Sequence, residues 1–225
     1  MMSSVLQQCG AVPDIVFSVA YVKNNGSPRT EDVCELFRNK GLDVRETVYD
    51  DPFRIMHRGL SRNDMLGKAT CDWILFADAD MAYSPRFFED LAGKLESDLK
   101  SERRCITARR VSLDKDYCCN AIDSLSDYPC VVARAGELES WPVRKMSNAN
   151  GSGYFQLARV DAIKERFGCE YLDPQRVERD FSWRFKSDRM FRHKVGGIFK
   201  IECLPQYHLN HHLRVRSDAE AEIQR

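Results

Sequence analysis

The chain has 225 residues, 43% hydrophobic and 30% charged, an ordinary balance for a globular protein with one sizeable core. Its 34 basic and 34 acidic residues cancel to a formal net charge of zero, which argues against a general nucleic-acid binder. No stretch reaches membrane-spanning length, and Met1 to Pro13 lack a basic start followed by an apolar run, so no transmembrane segment or signal peptide is expected. The nine cysteines are scattered and form no C-x-x-C pair. Cys34, Cys71 and Cys105 read as small buried apolar residues of a reduced, cytoplasmic protein.

In chain order, Asp14 to Val22 reads as a first strand, and Asn24-Asn25-Gly26-Ser27-Pro28 as a loop. Thr30 to Lys40 reads as a helix whose apolar face carries Val33, Leu36 and Phe37, stopped at Gly41. Leu42 to Tyr49 is a second strand, ending in Asp50-Asp51-Pro52. Ser61-Arg62-Asn63-Asp64 has the pattern of a capping box and opens a helix through Met65, Leu66 and Ala69. The apolar run Trp73 to Ala77 reads as a buried, parallel strand. Ser84-Pro85 starts a helix with Phe88, Leu91, Leu95 and Leu99 in its stripe. Cys105 to Val111 is a further strand. From Ser112 to Ala149 the pattern fades, as in a binding loop or lid. Tyr154 to Leu157 reads as a strand, Asp161 to Phe167 as a short helix, and Val177, Phe181 and Phe185 as one helix face. The last strand spans roughly Ile198 to Tyr207, and a polar tail begins at Ser217. Strands alternating with helices through the first hundred residues define an α/β chain.

The most informative point is the end of the Trp73–Ala77 run, where two carboxylates follow as Asp78-Ala79-Asp80. In open α/β sheets, ligands sit beyond the carboxyl ends of strands. On an extended backbone, residues two apart point to the same side. Two acids held that close repel unless a positive group lies between or beside them, and a divalent cation with oxygen ligands, Mg²⁺ or Mn²⁺, answers this. The alternative is a strand-end turn with its acids facing solvent. Near the C-terminus stand His208, His211 and His212, where neutral imidazole suits Mn²⁺ better than Mg²⁺.

The order of these elements resembles an inverting family 2 glycosyltransferase of the GT-A type, over roughly Asp14 to His212. Four pieces carry the resemblance: a β-α-β start ending in Asp50-Asp51; Arg62-Asn63 followed by Asp72 to Met81; Gly151-Ser152-Gly153 leading into Tyr154 to Arg159; and Glu178-Arg179-Asp180 to Arg184. The resemblance implies a Rossmann-like GT-A fold with a central mixed, mostly parallel sheet flanked by helices. It implies one domain over 1–225: a donor and metal half at 14–111, an acceptor half at 112–212 and a tail at 213–225. It implies transfer of a sugar, with inversion, from a nucleoside-diphosphate donor of the UDP kind to a hydroxyl of a glycan or other acceptor, with Mn²⁺ or Mg²⁺ as cofactor.

By the same resemblance, Asp80 would bind the metal, Asp78 would share it or contact the ribose beside Ala79, and His208, with His211 as alternative, would be the C-terminal metal ligand. Inversion needs a base, for which Glu178 is favoured and Asp180 is the rival, unless Asp180 pairs with Arg184. Ala20, Tyr21, Asp50 and Asp51 are candidates for the nucleotide base by position. Arg58 and Arg62 would meet phosphate or base edge, or else form a solvated basic face. On the acceptor side stand Gly151, Gly153 and Trp141, whose ring would stack on a sugar or pack in the core. Competing readings are a nucleotidyltransferase that makes nucleotide sugars, disfavoured by the single glycine in Val22 to Gly26, and a non-catalytic nucleotide-sugar-binding domain. The chain would stand alone or form one domain of a longer transferase.

Overall fold

The computed structural model describes residues 1–6, 8, 15–23, 29–97, 105–118, 137–147, 155–167, 188, 191–192, 195 and 198–209. Its elements are α1 (Met2–Leu6), β1 (Val16–Val22), α2 (Thr30–Asn39), β2 (Asp43–Tyr49), α3 (Phe53–Met56), α4 (Arg58–Gly67), β3 (Trp73–Ala77), β4 (Met81–Tyr83) and α5 (Phe87–Ser97). They continue as β5 (Cys105–Leu113), β6 (Val143–Ser147), β7 (Phe155–Arg159), α6 (Val160–Phe167) and β8 (Ile198–His208). Single helical turns at 115–118 and 137–140 lie within the stretch whose pattern fades.

β1 and β2 pair in parallel, from Val16 opposite Asp43 to Val22 opposite Tyr49. The connecting α2 begins where Asp32 accepts from the Arg29 N–H at 3.2 Å. It ends at Gly41, whose φ of +96° is the left-handed conformation that glycine adopts without strain. Cys34 and Phe37 of α2 are buried against Leu42 and Val44.

The other six strands form one mixed sheet in the order β3-β7-β5-β8-β4, with β6 also on β5. β7 pairs with β5 at Ile106, β6 at Arg110 to Leu113. β3 is antiparallel to β7, which is antiparallel to β5, and β5 is parallel to β8. β3, β5 and β8 therefore run the same way and end at the same side. This corrects the expectation of a parallel-paired β3 in a mostly parallel sheet: most described pairings are antiparallel, although strand senses still bring the carboxyl ends together. A continuous apolar run reports burial on two faces, and it does not distinguish the direction of the neighbour.

The two faces of β3 alternate as a strand requires. Trp73 and Leu75 face a core of Met81, Tyr83, Phe87, Leu91, Ile106, Phe155 and Leu157. Ile74 and Phe76 face a second core of Leu60, Leu66, Ala158, Ile163, Phe191 and Val195. Helices thus cover both sides. The pairing of β5 with β8 breaks once: Ala108 opposes Ile201, but Arg109 opposes Pro205, so 202–204 bulge out of the ladder. A proline in a central strand is tolerated at such a break because no ladder N–H is needed there.

Three local expectations change. The helix containing Arg62 starts at Arg58, so Ser61 does not cap it; its hydroxyl donates back to the Arg58 carbonyl at 3.0 Å. The helix after Ser84-Pro85 starts at Phe87, where the Phe87 N–H meets the Ser84 carbonyl at 3.1 Å. Cys71 is exposed, whereas Cys34, Cys105 and Cys118 are buried free thiols. The expected helix face of Val177, Phe181 and Phe185, along with Leu99, lies outside the described residues.

Candidate functional site

At the common end of β3, β5 and β8, the chain leaves β3 at Ala77, turns through Asp78 to Asp80, and re-enters the sheet as β4. The turn is closed by the Met81 N–H on the Asp78 carbonyl at 3.3 Å. The two carboxylates are therefore not alternate residues of an extended strand. Asp78 meets α4, and Asp80 meets β8.

On the α4 side, Arg58 Nη1 donates to Asp78 Oδ1 at 3.1 Å. Arg62, one turn later, is 6% exposed; its Nη2 stands 3.9 Å from the same oxygen. The Arg62 guanidinium lies 5.4 Å from the centre of the Phe76 ring, a cation–π geometry. Its Nη1 bonds Asp188 Oδ1. Asp188 is held by its own backbone carbonyl, which accepts from Gln156 Nε2 at 2.9 Å. Gln156 is fully buried on β7, opposite Phe76. Burial raises the Asp78 carboxyl above its ordinary range; Arg58 and Arg62 oppose the shift, and Asp80 and Asp188 add to it.

On the β8 side, Met81 pairs with His208 across the antiparallel β4–β8 ladder. The Leu209 N–H continues that ladder to the Asp80 carbonyl at 2.9 Å. This brings His208 Nε2 to 3.1 Å from Asp80 Oδ2. His208 Nδ1 is buried with no hydrogen-bond partner among the described residues. One carboxylate and one imidazole form a donor pair that suits Mn²⁺. Among the described residues no group of three or more His, Cys, Asp or Glu forms a complete metal cage. Mg²⁺-like cations bound with nucleotides take one or two protein ligands and fill the rest with phosphate oxygens and water, so the pair fits that use.

The remaining expected residues are dispersed. Tyr21 is buried, and its hydroxyl donates to Glu46 Oε2 at 2.5 Å, towards α2. Asp51 Oδ1 accepts from the Phe53 N–H at 2.8 Å and so caps α3. Asp50 and Ala79 are exposed, and Ala20 is half-buried. Trp141 is 5% exposed, in a core with Ala82, Val111, Leu113 and Tyr207, so packing occupies its ring. Beside it stands an exposed aromatic, Tyr117, 41% accessible, with its ring 5.3 Å from that of Trp141. It follows β5, whose Ser112 pairs with His208. Glu178, Asp180, His211, Gly151 and Gly153 lie outside the described residues. Asp188 escaped the sequence reading because it stands outside the motif block. Its one signal was an acid near the late aromatic positions.

Residues 1–104 match the model of the family described as Glycosyl transferase family 2. That segment holds β1 to α5 with Arg58, Arg62, Asp78 and Asp80. The crystal structure of residues 1–349 of S. aureus TarS superposes with a TM-score of 0.53 at 15% identity, covering 92% of this chain and 55% of that one. The chain therefore spans about half the length of that structure. No curated protein matches the chain. The family match covers just under half of the chain, which resembles family 2 glycosyltransferases over that segment, and the superposition shows a shared α/β fold. Among the described residues, no helix is long and apolar enough to cross a membrane.

Proposed function

We propose that the protein transfers a sugar from a nucleoside-diphosphate donor of the UDP kind to a hydroxyl acceptor, with inversion and with Mn²⁺ or Mg²⁺. The observation that carries this reading is the meeting of Asp80 and His208 at 3.1 Å beside an Asp78 flanked by two arginines, at the carboxyl ends of three strands. Asp80 and His208 would hold the cation, which supplies charge neutralisation to the diphosphate leaving group. Arg58, with its side chain 42% exposed, can turn from Asp78 to a donor phosphate. Asp78 accepts a hydrogen bond from the ribose. Its two arginines oppose the upward push of burial on its carboxyl. Asp50, Asp51 and Ala20 mark the nucleotide-base end of β1 and β2. Glu178, with Asp180 as rival, takes the proton from the acceptor hydroxyl. The acceptor side includes the segment after β5, where the exposed Tyr117 ring offers a flat apolar face to a saccharide.

Calorimetric titration of UDP and GDP, with Mn²⁺ and with chelator, tests the reading on the wild type and Asp80→Ala. Cation-dependent binding of one nucleotide, lost in the variant, is the expected result. A folded wild type that binds neither would overturn it.

A further inference from the structure

We propose that Asp188 is a positioning residue: it draws Arg62 off Asp78 and so leaves the Asp78 carboxylate open to a ribose hydroxyl of the donor. The inference rests on the donor site proposed above and assigns a task to a residue outside its motifs.

Arg62 is a buried cation between two carboxylates. A guanidinium presents five N–H donors in a rigid fork and can take a carboxylate with two parallel bonds. Here it does not take Asp78 that way: Nη2 stands 3.9 Å from Asp78 Oδ1, beyond hydrogen-bonding distance, while Nη1 bonds Asp188. Three features hold the balance. The Phe76 ring lies 5.4 Å beneath the guanidinium and restricts its tilt. The Gln156 amide, itself fully buried, fixes the Asp188 carbonyl at 2.9 Å. The Asp188 side chain is only 19% exposed, so its pull on Arg62 is weakly screened.

The consequence concerns the lone pairs of Asp78. Its present partner, Arg58, is half in solvent and can leave. A fork from Arg62 would not leave, because a buried guanidinium deprived of one anion must keep another. Without the Asp188 charge, Arg62 turns onto Asp78 and occupies the oxygens that a ribose hydroxyl needs. Asp188 thus sets recognition of the donor sugar ring without touching the donor.

The test compares UDP and GDP with their 2′,3′-dideoxy forms, by calorimetry with Mn²⁺ on the full chain. Its variants are Asp188→Asn, Asp188→Glu, Arg62→Met and the double variant Arg62→Met with Asp188→Asn. The wild type is expected to prefer the ribonucleotide by about tenfold or more, the scale of a hydrogen bond to a charged group. Asp188→Asn should bring that preference to within about twofold of unity while leaving dideoxy affinity nearly unchanged, and Asp188→Glu should restore most of it. With Arg62 already replaced, the preference should persist, and adding Asp188→Asn should change it no further, since the two act through one contact. A general structural role predicts equal losses for both forms of the nucleotide, and that result overturns the inference. So does a folded Asp188→Asn that keeps the full preference, or a wild type that binds UDP without distinguishing its ribose. Should Asp188→Asn not fold, Arg62→Met decides: loss of the preference there overturns the proposal. A wild type that binds neither ribonucleotide fails the parent reading instead.

Discussion

Replacing Phe87 by alanine tests the packing that holds the end of the sheet carrying Asp78 and Asp80. Phe87 is 0% exposed and opens α5 directly after β4. Its ring centre lies 4.8 Å from that of Tyr83, 5.2 Å from Phe88 and 5.8 Å from Phe155. A buried phenylalanine removes roughly 150 Å² or more from water. At about 25 cal/mol per Å², that is about 4 kcal/mol. Measured losses for Phe→Ala in cores run about 3–5 kcal/mol. The expected loss is therefore about 4 kcal/mol, a large part of the roughly 5–15 kcal/mol that keeps a domain folded. Urea denaturation should show a lower midpoint with an unchanged slope. Thermal melting should fall by roughly 10 °C, given about 2–4 °C per kcal/mol for chains of this length. Phe87→Leu should cost less than about 1.5 kcal/mol. A folded Phe87→Ala protein destabilised by less than about 2 kcal/mol would refute the reasoning, because it would mean the three rings do not form one packed unit.

Other perturbations bear on different parts of the molecule. His208→Ala should weaken Mn²⁺-dependent nucleotide binding by more than about tenfold, a loss known even for outer-sphere partners of metal ligands, as read by titration of the metal–nucleotide complex. Glu46 accepts from Tyr21 and pairs with Arg38, and these bonds, Tyr21 foremost, hold its carboxyl below the ordinary 4.5. A depressed folded-state value adds stability that is fully present above about pH 4.5 and is lost as pH falls through that lower value. Denaturation curves between pH 6 and 3 should therefore fall more steeply for the wild type than for Glu46→Gln. Tyr117→Ala should raise the acceptor KM with little change in stability, whereas Trp141→Phe should cost roughly 1–2 kcal/mol by melting and spare KM. Gly41→Ala meets no neighbouring atom but must adopt a φ of +96°, and should cost about 1 kcal/mol in urea titration.

The β-α-β start was legible because each cue there is local: an apolar run, a helix stripe over Val33 to Phe37, and a glycine stop at 41. β5, β8 and α6 also lay within one or two residues of their sequence-derived bounds. The partner of β3 was not legible, since Trp73 to Ala77 would be equally apolar beside a strand of either sense. α3 and the early start of α4 were hidden because Ser61 looks like a cap, and only its bond back to Arg58 shows that it lies inside the helix. In the site, Asp78 and Asp80 stood out by spacing at the end of an apolar run. Their division between α4 and β8 depends on a turn that spacing does not encode. Asp188 reaches Arg62 across 126 residues of chain, and no periodicity reports a contact so distant. Trp141 was ambiguous because a large aromatic serves a core and a sugar surface equally well until its exposure is known.

The break in β8 makes its two halves independent. The segment Ile198–Ile201 pairs with the start of β5, and the segment Pro205–His208 pairs with its end, with 202–204 as slack between them. If that slack were drawn into the ladder, His208 would be carried three residues, about 10 Å at about 3.3 Å per residue, beyond Ser112, its present partner on β5. Conversely, shortening the slack would leave both ladders in register and His208 beside Asp80. The imidazole is thus anchored from the far side of the detour, and changes of chain length upstream of Pro205 can be absorbed without reaching the site.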